Sequence, residues 1–377
     1  MINKPDDLHS IRFSQKQRSL LALLTRHLAK HNYQVNKHLR LSQYRAVSQH
    51  SHTSHNLSAD YQSDQLSGTA YYQGLTLLTQ SIPDSIASDL PSSLPAKSHV
   101  SPYCIYKWQL SPYKPQSQHQ HQHQHQHFSL CHEIKNLQLI QQHITESASP
   151  IPPTVPVIAC YDEIITITDS DQKWQCVGFI MPYLFEASIK DYLARNDGDN
   201  QSLNICHKLD LAQAMASSLK QLHGLGWIHG DIKPSNFLLS RTDSKITTYL
   251  SDLSCALQPG DNVALTTTLL SGTPAYLAPE CWQGQLKNQQ SDIYAFGITL
   301  YEIVMGKRPF ILDNLDDLQG WAQLHCQQPV PLLSAQLQEQ YPALQTIIDK
   351  LLAKQISNRY QCMDAVWNDL YQLLQSR

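Results

Sequence analysis

The octapeptide His229-Gly230-Asp231-Ile232-Lys233-Pro234-Ser235-Asn236 decides how the rest of the chain is read. Just before it, Asn204–Leu222 carries Ile205, Leu209, Ala212, Ala216 and Leu219 at helical spacing, and Gly224 and Gly226 then supply a fitting C-terminal stop. After it come four further stretches, in order: Ser251-Asp252-Leu253-Ser254; Gly272-Thr273-Pro274-Ala275-Tyr276-Leu277-Ala278-Pro279-Glu280; Ser291-Asp292-Ile293-Tyr294-Ala295-Phe296-Gly297; and Asn358-Arg359-Tyr360-Gln361. Asp292–Met305 is apolar nearly all round, which marks a helix buried at the centre of a domain. Leu344–Leu352 and Met363–Leu374 read as amphipathic helices that close the chain.

These stretches resemble the protein kinase family, and the octapeptide resembles its catalytic loop, His-Arg-Asp-x-x-x-x-Asn, with Gly230 in place of Arg. The resemblance runs from about residue 103 to 375 and implies an α+β, two-lobed fold with a small strand-rich lobe and a large helical one. It implies that Asp231 orients the incoming hydroxyl and accepts its proton, and that Lys233 neutralises charge on the transferring γ-phosphate. Asn236 and Asp252 would hold Mg²⁺ or Mn²⁺, Asp292 would brace the catalytic loop, and Arg359 would pair with Glu280. Lys233, together with Thr273 placed against Asp231 and Lys233, points to serine/threonine rather than tyrosine as the acceptor.

On the nucleotide side, Cys104-Ile105-Tyr106-Lys107-Trp108 resembles the strand whose Lys reaches the α- and β-phosphates of ATP, with Glu133 on the following helix as its partner. Phe179-Ile180-Met181-Pro182-Tyr183-Leu184 resembles the hinge, with Met181 as gatekeeper and the Leu184 N–H directed at adenine. The glycine-rich loop has no counterpart: Tyr44–Val47 could be the first strand, Ser48–His55 holds no Gly, and Gly68 and Gly74 are wrongly spaced. Two further departures matter. Gly230 removes the Arg that in many members binds a phosphorylated activation segment, so activity is expected not to need that switch. Ser254 replaces a Gly, at a cost of ~1–2 kcal/mol if that residue must be left-handed.

The first half of the chain is less regular. Residues 14–31 read as a basic amphipathic helix with Leu20, Leu24 and Leu28 on one face, which either packs on its own domain or docks a partner or membrane surface. Strands are expected over Tyr71–Leu78, Tyr103–Leu110, Val157–Thr168 and Trp174–Met181, and a helix over Phe128–His143. Residues 48–68 and 81–101 read as loops, and 116–127 as a Gln/His low-complexity insertion whose alternating histidines could also bind metal. The expected organisation is an N-terminal helical extension over 1–40, a strand-rich lobe over 41–182 and a helical lobe over 183–377, read as mainly helical throughout. Thr266, Thr267 and Thr268 are candidate autophosphorylation sites.

Composition narrows the setting. The 377 residues are 41% apolar and 16% charged, with a formal net charge of −3 and no basic tract, so a nucleic-acid partner is not expected. Nine scattered cysteines without a Cys-x-x-Cys pair fit a reducing cytoplasm. No apolar run reaches the ~18 residues of a membrane span, and no signal peptide is recognised. The partners expected are therefore ATP and a protein substrate. Two rival readings are a pseudokinase that keeps the fold as a scaffold, favoured by the missing glycine loop, and a small-molecule phosphotransferase of the aminoglycoside or choline kinase type. The latter share His-Gly-Asp but usually lack the Lys233 counterpart and an Ala-Pro-Glu segment.

Overall fold

In the computed structural model, the described residues are 15–45, 70–80, 103–113, 130–147, 153–154, 157–166, 173–184, 186–196, 203–242, 245–258 and 271–376. They fall into two compact units, one within 1–120 and 157–183, the other within 121–156 and 184–377.

The first unit begins with α1 (Gln15–Lys30) and continues into β1 (Tyr33–Arg45), β2 (Ala70–Gln80) and β3 (Tyr103–Pro112). After the segment that belongs to the second unit, β4 (Ala159–Thr166) and β5 (Lys173–Pro182) complete an antiparallel sheet of order β1-β2-β3-β5-β4. The period-2 alternation of β3 places Cys104, Tyr106, Trp108 and Leu110 on one face and Ile105 and Lys107 on the other. The first face forms a core with Leu20, Leu21, Leu24 and Leu28 of α1 and with Tyr72, Trp174 and Ile180. The helix expected over 14–31 therefore packs on its own sheet. Gly74 of β2 belongs to this packing, since a Cβ there would lie 2.4 Å from the Trp108 ring. The first strand differs from expectation: it runs from Tyr33 and ends at Arg45, so it crosses the boundary placed between residues 40 and 41. Ser48–His55, Gly68, the Gln/His tract and the three threonines at 266–268 lie outside the described residues.

The second unit starts with α2 (Leu130–Ser147), whose Asn136 Nδ2 donates to the carbonyls of Leu253 and Ala256 at 3.0 and 3.2 Å. After α3 (Ile189–Asn196) comes α4 (Ile205–Gly224), opened by the Asn204 side chain accepting from the Cys206 N–H. The mainly helical reading holds for this unit with one addition it did not include: β6 (Phe237–Thr242) and β7 (Lys245–Leu250) pair in an antiparallel hairpin. Beyond it lie α5 (Pro279–Trp282), α6 (Gln289–Met305), α7 (Leu318–Gln327), α8 (Ala335–Gln340), α9 (Pro342–Leu351) and α10 (Met363–Gln375). A continuous buried run from Ser291 to Tyr301 makes α6 the central helix, in line with its all-round apolar sequence. Among the described residues no helix is long and apolar enough to cross a membrane.

His325 of α7 is fully buried among Trp282, Tyr294, Phe310 and Trp321, with ring centroids 5.2–6.4 Å away. Burial, then the nearby cations of Lys354 and Arg308, pushes its imidazole down to about 3 from an ordinary 6.5. Between those values the unfolded chain takes up a proton that the folded one refuses. Its contribution is thus complete above pH 6.5 and is lost on acidification toward 3, at up to ~1.4 kcal/mol per pH unit. His325→Gln should flatten the fall of the urea midpoint between pH 6.5 and 4.5; an unchanged slope would contradict this account.

Candidate active site

The octapeptide 229–236 lies between α4 and β6, and two features of local folding organise it. The first is the hairpin. Phe237 pairs with Leu250, and one step outward the Ser251 N–H donates to the Asn236 carbonyl at 2.9 Å. The hairpin register thus brings Asn236 at the end of the loop beside Ser251 and the adjoining Asp252. The second is the start of α6. Asn288 and Ser291 form a reciprocal capping box, which fixes the first turn and with it Asp292. The Asp292 carboxylate is buried and accepts the His229 N–H at 2.7 Å, the Gly230 N–H at 2.9 Å and a contact from His223 Nε2 at 3.0 Å. Burial alone would raise its pKa, but His223, His229 and these donors hold it below the ordinary carboxylate value. A buried carboxylate with three partners binds loop to helix.

Asp231 faces a tight set of donors. Its Oδ1 accepts the Thr273 N–H at 2.8 Å; its Oδ2 accepts Lys233 Nζ at 2.6 Å and Asn236 Nδ2 at 3.1 Å. Lys233 Nζ also donates to Thr273 Oγ1 at 2.6 Å, so one ammonium joins the loop carboxylate to the 272–280 stretch. Behind them His229 is fully buried, and burial lowers its pKa despite the nearby carboxylates. Its Nδ1 accepts the Asp231 N–H at 3.3 Å, which assigns the proton to Nε2, 3.1 Å from the Ser251 carbonyl.

Asp252 is itself left-handed (φ 62°, ψ 65°), whereas Ser254 is not among the residues of positive φ. The conformational penalty expected at Ser254 therefore does not arise there. Instead the Ser254 hydroxyl donates to Asp252 Oδ1 at 3.0 Å, a bond that Gly could not make.

Glu280 and Arg359 form a bidentate pair at 2.7 and 2.8 Å with both side chains buried. Arg359 also donates to the carbonyls of Ala353, Gln290 and Lys354, and Ser291 Oγ donates to Glu280. Burial opposes the charge on Glu280, yet Arg359 and Ser291 bring its pKa below the ordinary value.

Lys287 was not singled out by its sequence, a lone cation in a Gln/Asn-rich stretch. It is buried, and its Nζ donates to the Gly230 carbonyl at 2.8 Å, to Ser271 Oγ at 2.7 Å and to the Ser271 carbonyl. Its charge thus ties the 229–236 loop to the stretch carrying Thr273. Gly230 adopts φ 77°, and a Cβ there would fall 2.5 Å from the Cys255 carbonyl oxygen. Lys287→Met should lower stability by ~2–4 kcal/mol, because it leaves buried acceptors unsatisfied. It should also raise amide exchange at 271–273; an unaltered exchange pattern would deny the lysine its tethering role.

Of the remaining candidates, Lys107 lies on β3, in register with Leu75 and Phe179 on its two neighbours, and Met181 lies near the end of β5 opposite Ile105. Both belong to the first unit, whereas Glu133, in the first turn of α2, and Leu184 belong to the second.

Comparison with known proteins gives these geometries a context. Residues 157–371, more than half of the chain, match the family described as "Protein kinase domain". The match starts after Lys107 and Glu133. The chain is 28% identical to the "Probable serine/threonine-protein kinase PknB" of Lactococcus lactis, over 56% of this chain and 32% of that protein. It is 30% identical to the "Serine/threonine-protein kinase PknB" of Mycobacterium leprae, over 56% of this chain and 33% of the relative. With the "Serine/threonine-protein kinase PknA" of Mycobacterium tuberculosis, identity is 32% over 42% and 35% of the two chains. The aligned part is thus about a third of each relative's length.

Proposed function

Because the chain belongs to the protein kinase family, we propose that it transfers the γ-phosphate of ATP to serine or threonine hydroxyls of a protein substrate. The observation that carries this reading is Lys233 Nζ, 2.6 Å from both Asp231 Oδ2 and Thr273 Oγ1. A carboxylate held this way is a positioned acceptor for the proton of an incoming hydroxyl, and the ammonium beside it offsets negative charge that grows as the phosphoryl group transfers. Thr273 N–H fixes one oxygen and Asn236 steadies the other, so little reorganisation is needed at the moment of reaction.

Asn236 and Asp252 offer a carboxamide and a carboxylate oxygen, donors of the hard kind that suit Mg²⁺ or Mn²⁺. Such an ion, when bound, would neutralise the phosphates and hold them for in-line attack. Ser254, by donating to Asp252 Oδ1, would aim the carboxylate. Lys107 as phosphate ligand, Glu133 as its partner, and Met181 and Leu184 beside adenine belong to the same proposal. So do the structural roles of Thr273, Glu280, Asp292 and Arg359. A cytoplasmic setting is supported by nine free thiols, three of them buried.

The deciding experiment is single-turnover transfer from γ-labelled ATP with Mg²⁺ or Mn²⁺, comparing the protein with Asp231→Asn. Label on the protein or on a generic protein substrate, lost in the variant, is expected. Nucleotide binding without transfer would replace this reading with a scaffold. Label confined to a small molecule would replace it with a small-molecule phosphotransferase.

A further inference from the structure

Within the first unit, the end of α1 and strand β4 bring together three metal-ligating side chains. His27 lies in the last turn of α1, and His31 directly follows its last residue, with its N–H still held by the Leu28 carbonyl at 3.0 Å, so the two rings lie side by side with centroids 5.0 Å apart. Glu163 of β4 reaches both: His31 Nε2 lies 2.9 Å from its Oε1, and His27 Nδ1 lies 3.5 Å from its Oε2. One ligand atom from each of the three lies within 4.8 Å of the others. All three residues belong to the first unit.

His27 makes the cluster more than an ion pair. It is only 2% exposed, yet neither of its ring nitrogens has a hydrogen-bond partner. The 3.5 Å approach to Glu163 is too long to count as a hydrogen bond. A buried imidazole left this way gives up its hydration with no bond in return, a cost that a leucine like its neighbours Leu24 and Leu28 would not carry. Burial is the main influence that lowers the His27 pKa, so the ring is kept in the neutral form that binds metals. Tyr161 walls the cluster, its ring centroid 4.5 Å from that of His31 and 6.1 Å from that of His27.

We propose that His27, His31 and Glu163 form a binding site for a divalent transition-metal ion of the Zn²⁺ class, with water completing the coordination. Two imidazoles and one carboxylate form a recognised three-ligand set for zinc, and the nitrogen donors disfavour Mg²⁺ and Ca²⁺. Metal–ligand bonds of ~2.1 Å in tetrahedral geometry set the ligand atoms ~3.4 Å apart, so the cluster needs only a modest contraction. The ion would supply the missing partner of His27 and clamp the C-terminal half of α1 to β4. The site owes nothing to phosphoryl transfer and stands or falls separately from the proposed activity.

The test has to exclude the Gln/His tract, whose five histidines could bind zinc themselves. In the full chain, His119→Gln, His121→Gln, His123→Gln, His125→Gln and His127→Gln are combined, and bound metal is stripped. Zn²⁺ is then titrated calorimetrically, and Co²⁺ is followed by its visible absorption. One equivalent is expected to bind with micromolar affinity or tighter, with the intense d–d bands of a tetrahedral cobalt site and a raised thermal midpoint. Adding His31→Gln or Glu163→Gln, both at partly exposed positions, should weaken binding at least tenfold and abolish the rise in midpoint. Absence of a saturable single equivalent in the tract-free chain would overturn the proposal, as would equal affinity in the Glu163→Gln variant.

Discussion

Asp231→Asn is expected to lower single-turnover phosphoryl transfer by about 10²–10⁴-fold, the usual contribution of a positioned general base. The ATP KM should change far less, because in the proposed mechanism the side chain acts on the hydroxyl and not on the nucleotide. Its surroundings sharpen the expectation. Both oxygens of Asp231 accept hydrogen bonds, one from Thr273 and the other from Lys233 and Asn236. A carboxamide has one oxygen, so its NH₂ must face a donor on one side or the other. The variant should therefore also lose about 1–3 kcal/mol of stability, and rates belong at temperatures well below its midpoint. Lys233→Met, assayed in parallel, separates the charge from the base: it should depress kcat while leaving the Asp231 carboxylate in place. Transfer that survives Asp231→Asn within threefold would remove Asp231 from the chemistry.

Arg359→Met is expected to destabilise the fold by about 3–5 kcal/mol, since it strands a buried carboxylate. At ~2–4 °C per kcal/mol for a unit of this size, the thermal midpoint should drop by roughly 6–20 °C. Replacing both members of a buried pair by apolar residues is often harmless elsewhere, but here Glu280→Met/Arg359→Met should stay destabilised. The guanidinium also satisfies the Ala353, Gln290 and Lys354 carbonyls, and no apolar side chain does that. The pH dependence has a definite sign. Glu280 has a depressed pKa, so the pair's contribution is present above the ordinary carboxylate value and is lost as pH falls through the lower, folded one. A double variant as stable as the parent would show that Arg359 matters only through its charge.

Much of this was legible in the sequence because several landmarks constrain one another. Asp231, Asn236, Asp252, Glu280, Asp292 and Arg359 each sit in a recognisable local pattern, and the structure gathers Asp231 with Asn236, Asp292 with the loop backbone, and Glu280 with Arg359. The hairpin was missed because Phe237–Thr242 and Lys245–Leu250 are only six residues each, too short for their periodicity to distinguish strand from buried helix. Yet that hairpin positions Asp252. The start of β1 was missed for a similar reason: Tyr33–Arg45 is rich in Lys, His, Arg and Gln, the composition of an edge strand rather than a core one. Lys287 carried no pattern at all: a lone cation in a Gln/Asn-rich stretch shows its buried role only through its contacts with Gly230 and Ser271. Ser254 would carry a cost only if it were left-handed, and the left-handed residue is Asp252. A family pattern gives the residue type, while the backbone angle belongs to the particular loop.

The pairing of Gly230 with Lys287 also constrains how this lineage can change. A side chain introduced at 230 must leave φ 77°, displace the Cys255 carbonyl 2.5 Å from its Cβ, and accommodate the Lys287 ammonium 3.4 Å away. An arginine there would add a second cation to a niche already filled by the first. Losing Lys287 beforehand takes from the Gly230 carbonyl and from Ser271 the ammonium that they share. Either order of mutation passes through a less stable protein, so the two positions form a ratchet. Positions 230 and 287 are therefore expected to be replaceable only together.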